Sequence, residues 1–353
     1  MSETAEIKKA PSGATEKHGK DTNNFDITSE IIHADFEQLI DEQQTQPQSQ
    51  QIGFFNVRTA NECIMDARNQ TPPRDLYNGL VFENEITFLF ADTGVGKSIF
   101  AVQAAAEISK TDKVLYFDLE LSDKQFQNRY SENYKNEFVF PENLIRLDFV
   151  RPFRVPDDTN YDNYFIESLK RSITSTGAKI VIIDNMTKLI SSDTDNARSA
   201  KPLMDLLTDL KFEYGLTMLL LEHTRKTDMS RPISLNDLQG SKMKANFADA
   251  AFSIGRSAKD KNLRYIRQLK SRSSEIVYDG DNVPVYEIIK ENSFLQLKFL
   301  EYDTEYNHLK QPSEDERDNQ KQKAAELKAQ GLSNCEIARR FGVSEGAVRK
   351  WLK

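Results

Sequence analysis

The stretch "ADTGVGKSIF" at 91–100 holds the residues best suited to chemistry. Gly94 and Gly96 let the backbone turn so that successive N–H groups point inward at an anion. Lys97 follows with a flexible ammonium for β- and γ-phosphates, and Ser98 with a hydroxyl for Mg2+. The matching pattern, G-x-x-x-x-G-K-[ST], opens on glycine, where this chain has Ala91. That first glycine serves a turn, and a methyl group is tolerated there when φ is negative. Asp92, Thr93, Gly94, Val95, Gly96, Lys97, Ser98 and Ile99 are therefore expected to form a nucleotide-binding loop, with ATP and Mg2+ as ligands.

Phosphoryl transfer needs more than a loop, and the other parts belong at the carboxyl edge of the same sheet. "KIVIIDN" ends in Asp184, placed to hold Mg2+ as an acid on a neighbouring strand does; the plainer alternative is an aspartate capping the next helix. "VLYFDLELS" offers Glu120 as general base for the attacking water, with Asp118, two residues earlier, as its rival. "LLLEHTRK" ends another strand in Glu222, His223, Thr224 and Arg225, a polar cluster suited to sensing a γ-phosphate. For His223 alone, a structural role is the alternative.

The elements that must position these groups are legible. "ITFLF" (86–90), "KVLYFDLE" (113–120), "KIVIID" (179–184) and "LTMLLLEH" (216–223) are short, continuous apolar runs, as strands buried on both faces are. Between them lie helical patterns at 98–110, around 161–175 and in "PLMDLLTDLKFEY", and "SDKQ" (122–125) reads as a capping box. Strands alternating with helices predict an α/β fold with a mostly parallel sheet. After about 249, "DAAFSIG", "LRYIRQLKS", "EIVYD", "VPVYEIIKE" and "FLQLKFLEY" predict strands without intervening helices, antiparallel at the sheet's flank. The expected organisation is a disordered polar leader at 1–52, an ATPase domain at 53–301, an acidic linker at 302–320 and a small helical module at 321–353. The leader carries seven glutamines within 38–51, and "IIHADFEQLI" is its one candidate docking helix.

Composition narrows the class. No run approaches the roughly 18 apolar residues of a membrane span, and the N-terminus lacks the apolar core of a signal peptide. A cytoplasmic protein is expected, with Cys63 and Cys335 as reduced thiols. The formal net charge of −8 is unevenly spread: residues 1–50 hold ten acids against four bases, and residues 321–353 hold eight bases against three acids. That basic end implies a partner of its own, DNA first among them.

In order, the phosphate loop, "YFDLELSDKQFQNR", "VIIDN", "EHTRK", "LQGSKMKANFADAAFSI" and "QLKSR" resemble the RecA-like ATPases of the hexameric replicative helicase group, plasmid-encoded replication helicases included. The resemblance covers about residues 75–275. It implies that Glu120 rather than Asp118 is the catalytic base and that the polar residues after "LLL" are the sensor. It implies that Lys270 and Arg272 of "QLKSR" reach a neighbouring subunit's site as piston and arginine finger. It thus implies a homo-oligomeric ring or filament. The long basic segment 225–246 then fits a central-channel loop for single-stranded DNA, with Arg231, Lys242 and Lys244 on phosphates; a surface loop is the alternative.

The C-terminal stretch "QKAAELKAQGLSNCEIARRFGVSEGAVRKWLK" parses as a helix at about 319–329, a second at 334–341 opened by the Ser333/Glu336 capping box, and a third at 345–352 capped by Ser344. Ile337, Phe341, Val343, Val348, Ala325 and Leu327 are the expected core, with Trp351 packed on it. The pattern resembles the helix-turn-helix ends of resolvases and transposases. Ser344, Glu345 and Ala347 would face base edges in duplex DNA, with Arg339, Arg340, Arg349 and Lys350 on phosphates. A helix-turn-helix of this kind also binds proteins. Two functions follow: a DNA-dependent motor or accessory in replication or mobilisation of a plasmid or integrated element, or an ATP-controlled DNA-binding regulator with slow hydrolysis. The second is kept because no separate collar domain can be located in residues 1–52.

Overall fold

The structure, a computed structural model, describes residues 50–152, 154–189, 197–224, 228–239, 241–311 and 314–352. The expected docking helix within the leader and Arg225 lie outside the described residues. Residues up to Thr71 form one unit and Pro72–Lys353 another. The first contains a small hairpin, β1 (Gln50–Ile52) and β2 (Phe55–Val57), and helix α1 (Ala60–Arg68). Thr59 and Glu62 form a reciprocal capping box at the start of α1, which has no buried residue.

The second unit is built on a nine-stranded sheet. In chain order its elements are β3 (Asp75–Tyr77), β4 (Val81–Phe82), β5 (Ile86–Ala91), α2 (Lys97–Ile108), β6 (Val114–Asp118), α3 (Asp123–Arg129), β7 (Ser131–Glu132), β8 (Asn136–Glu137) and β9 (Leu144–Leu147). There follow α4 (Tyr161–Thr176), β10 (Ile180–Asp184), α5 (Ala197–Tyr214), β11 (Thr217–His223), α6 (Ser241–Phe247), β12 (Ala250–Arg256), β13 (Leu263–Lys270), β14 (Val283–Glu291) and β15 (Phe294–Asp303). The sheet order is β15-β14-β13-β12-β5-β11-β10-β6-β9. From β12 to β9 every neighbouring pair is parallel.

Apolar runs make these central strands because both faces are covered. Leu89, Ile182, Leu219 and Phe252 pack with α2 on one face. Phe88, Phe90, Val181 and Leu220 pack with α4 and α5 on the other.

Three expectations for the later chain need correction. β12 is expected among the antiparallel strands, yet it pairs parallel with β5 and antiparallel only with β13. "EIVYD" (275–279) is not a strand. The Gln268 side chain accepts the N–H groups of Val277 and Tyr278 at 2.9 Å each, so a side chain stands in for a ladder partner. The start of the expected linker is packed structure: Glu305 and His308 are buried, Glu305 against Arg267 and His308 on Ser257 Oγ at 2.8 Å. Polar residues buried by pairing read as solvated in composition alone.

The chain ends in α7 (Glu314–Ala329), α8 (Asn334–Phe341) and α9 (Glu345–Trp351). Ala324, Ile337, Ala338 and Val348 form their buried core, with Leu327, Leu332, Phe341, Val343 and Trp351 packed against it. Trp351 meets Phe341 edge to face at 5.7 Å. Ala325, expected in this core, is exposed, because the phase of α7 turns Ala324 inward instead. Among the described residues no helix is long and apolar enough to cross a membrane, and Cys63 and Cys335 are free and exposed.

Candidate active site

Ala91 closes β5 as an extended, buried strand residue opposite His223 on β11. It is not among the non-glycine residues with positive φ, so a methyl group costs the turn nothing. The left-handed positions fall instead on Gly94, φ +70°, and Gly96, φ +119°. Gly96 is also the N-cap of α2, and no side chain caps that end. The first N–H groups of α2 therefore remain available to an anion, at the positive end of the helix dipole. Asp92, Thr93 and Gly94 are exposed, Val95 and Lys97 are buried, and Gly96, Ser98 and Ile99 lie between.

Lys97 has no acid partner among the described residues. Its Nζ donates to Ala91 O at 2.7 Å and Asp92 O at 3.2 Å, and stands 3.3 Å from His223 Nδ1. Burial pushes its pKa below the usual lysine range, against the pull of Asp184 and Glu120. A buried cation resting on carbonyls is poised for a better anion.

Asp184 ends β10, fully buried. Tyr116 Oη donates to its Oδ2 at 2.8 Å, whereas Oδ1 is buried with no hydrogen-bond partner. Burial pushes this carboxyl up to about 6, partly offset by Ser98 and Tyr116 beside it. An orphaned acceptor next to the Ser98 hydroxyl suits a Mg2+ ion, directly or through water. Among the described residues no group of three or more His, Cys, Asp or Glu side chains is gathered to hold a metal. The donor set thus fits a metal that phosphates help to carry rather than an all-protein cage.

The two candidate bases separate cleanly. Asp118 is spent on structure: Arg146 Nε donates to its Oδ2 at 2.9 Å, and the N–H groups of Glu120 and Leu121 donate to its Oδ1 at 3.3 and 2.9 Å. Glu120 lies past the end of β6 with its side chain 38% exposed. Asn185 Nδ2 donates to Glu120 Oε1, and His223 Nε2 stands 3.9 Å from that oxygen. His223 foremost, then Lys97, holds the Glu120 carboxyl below its usual range. Of the expected groups, the loop, Ser98, Glu120, Asp184 and His223 come together at one sheet edge.

Lys270 and Arg272 do not join them. Lys270 Nζ donates to the carbonyls of Ala245 and Ala248 at 2.7 and 2.5 Å, and Arg272 pairs with Asp249 at 2.9 Å. Asp249 N bonds Ile86 O at the start of β5. Arg272 is thus about a strand's length, on the order of 16 Å at about 3.3 Å per residue, from its own loop. Lys244 is also corrected: it is wholly buried in an ion pair with Glu222 and is not free for a DNA phosphate. Arg231 is paired with Asp237 but half-exposed, and the side chain of Lys242 lies outside the described residues.

Sequence reading missed two cations. Arg256, at the end of β12, donates to Thr93 O at 2.8 Å, and buried Arg264 on β13 donates to Val95 O at 2.7 Å. Both grip the phosphate loop from behind, beside a cavity of about 150 Å3 lined by Asp92, Val95, Gly255 and Tyr265 among others. They lie more than 150 residues from the loop, and only the strand pairing β5–β12–β13 reveals them.

On the C-terminal helices, Arg339, Arg340 and Lys350 are exposed. Arg349 is exposed but donates to Glu345 at 3.0 Å. The Ser344 hydroxyl accepts from Ala347 N at 3.2 Å as the cap of α9, and Glu345 and Ala347 are half-buried.

Comparison with known proteins agrees with this fold. Residues 57–229 match the AAA domain family, and residues 315–353 match the homeodomain-like domain family. A solved ATPase domain is similar at 16% identity, over 68% of this chain and 99% of that one, with a TM-score of 0.50. This is a RecA-like P-loop domain followed by a helix-turn-helix. A KaiC-like protein from the archaeon Pyrococcus horikoshii OT3 is similar at 14% identity, over 63% of this chain and 94% of that one, with a TM-score of 0.46. No curated protein matches. In this fold the candidate loop, Glu120 and Asp184 lie at the carboxyl edge of the sheet, where such sheets carry ligands.

Proposed function

We propose that the chain is an ATP-hydrolysing, DNA-binding protein of the cytoplasm. It would act as a helicase-type motor or accessory in replication or mobilisation of a plasmid or integrated element. One observation carries the reading: a phosphate loop, an acid with an orphaned oxygen and a glutamate on separate strands converge in one RecA-like domain that is followed by a helix-turn-helix. The loop N–H groups and Lys97 bind the phosphates. Ser98 and Asp184 would hold Mg2+, which would supply charge neutralisation for the phosphates. Glu120 accepts the proton of the attacking water. Single-stranded DNA is the proposed track of the ATPase, and duplex DNA the ligand of α8 and α9.

Hydrolysis measured without DNA, with single strands and with duplex tests this. A motor is expected to turn over several-fold faster with single strands. Slow turnover indifferent to DNA supports the ATP-controlled regulator instead. Deleting residues 312–353 should leave turnover intact and weaken duplex binding about tenfold or more, since the phosphate-neutralising Arg339, Arg340 and Lys350 are lost. Unchanged affinity would remove α8 and α9 as the DNA reader.

The position of Arg272, far from its own loop, supports a site shared between subunits. Arg272→Ala and Lys97→Ala should each be inactive alone, and mixing them should restore a fraction of turnover at interfaces that pair an intact loop with an intact arginine. Absence of recovery at every mixing ratio would argue for a site complete within one chain.

A further inference from the structure

Asn185 follows Asp184 at the end of β10 and is itself buried. Its Oδ1 accepts the Thr187 N–H at 3.1 Å and so closes the short turn Met186–Lys188. Its Nδ2 donates to Glu120 Oε1 and faces His223 Nε2 at 3.0 Å. These partners assign the amide: the end toward a carboxylate must be NH2, and the end toward an N–H must be C=O.

The same logic constrains His223. Its Nε2 faces the Asn185 NH2 at 3.0 Å and its Nδ1 faces the Lys97 ammonium at 3.3 Å. Both neighbours are donors, whereas a neutral ring accepts through only one nitrogen. The cluster is one acceptor short. A phosphate that draws Lys97 away supplies the missing acceptor and removes the conflict.

We infer that Asn185 is the positioning residue for Glu120: it fixes Oε1, leaves Oε2 to face the attacking water, and links that orientation through His223 to whether Lys97 is engaged on a phosphate. The inference rests on the hydrolytic reading of the site. A base on an exposed side chain needs such a tether, because misplacement by about 1 Å costs on the order of 100-fold in rate.

Asn185 has two separable roles, which makes the test clean. Asn185→Asp keeps an oxygen for Thr187 N–H and removes the donor toward Glu120. We expect its kcat to fall at least tenfold, with the Kd for Mg2+·ATP within about twofold of the parent. Asn185→Ala should lose the turn contact as well and also show a lower melting temperature. An Asn185→Asp protein with parental kcat would overturn the assignment, because the donor toward Glu120 would then be dispensable. An equal loss in kcat and in nucleotide affinity would overturn it too. The unsubstituted protein in the same assay separates the two ideas: no turnover there sinks the hydrolytic reading, whereas normal turnover there and in Asn185→Asp sinks only this one.

Discussion

Lys97→Ala is expected to lower ATP turnover by about 100- to 1,000-fold, the scale for removing one preorganised donor from developing charge. Nucleotide affinity should fall by about tenfold or more, since a charge-assisted hydrogen bond contributes roughly 1.5–3 kcal/mol. Folding should not suffer in proportion. Burial pushes the Lys97 pKa down, so below the usual lysine range the unfolded chain binds this proton more readily than the folded one. Stability associated with Lys97 therefore rises as pH climbs from the lowered value toward 10.5, and at neutral pH the buried charge is a burden on the fold. The alanine variant should melt at the parental temperature or slightly above it while failing to turn over. Isothermal titration with ATP, a melting curve and a hydrolysis assay on one preparation check the three statements together. Parental turnover would sink the phosphate-loop assignment outright.

How much of this is legible in the sequence depends on whether a group's partners are local. Gly94, Gly96, Lys97 and Ser98 are contiguous, and their strand and helix flank them, so the loop declares itself. Asp184 ends a continuous apolar run and Glu120 lies just past one, and the carboxyl ends of parallel strands meet by topology. Residue types alone do not choose between Glu120 and Asp118. What favours Glu120 is Arg146, on β9, which engages Asp118 from a strand that sequence reading does not single out.

Groups whose role rests on a distant partner are misread or missed. Lys244 looks like a free basic residue until Glu222 buries it. Arg256 and Arg264 carry no signal in the sequence, and only strand pairing sets them on the loop carbonyls. Gln268 hides a side-chain substitute for a strand, so the short apolar run in "EIVYD" passes for one. In each case the deciding bond spans the fold rather than a helix turn or a strand period.

Glu120→Gln is the sharpest test of the hydrolytic reading. The glutamine keeps the length of the side chain and an oxygen for Asn185 Nδ2, so the network around His223 can persist. It removes a negative charge facing the phosphates, and ATP should bind as tightly as before or more so. Turnover should fall by about 100- to 10,000-fold, the usual contribution of general base catalysis. The parental pH profile gives an independent mark. His223 and Lys97 hold the Glu120 carboxyl below its ordinary value of 4.5, so the base is already ionised at every pH above that value. Its acid limb should lie below 4.5, and stability tied to its charge, present above that value, is lost only as pH falls through the lowered one. A Glu120→Gln protein with full activity would show that the water is activated by something else. Asp118 is then a poor substitute, because both its oxygens are engaged by Arg146 and by the backbone of residues 120 and 121. The remaining candidate on the same edge would be His223, whose ring already touches Lys97 and Asn185.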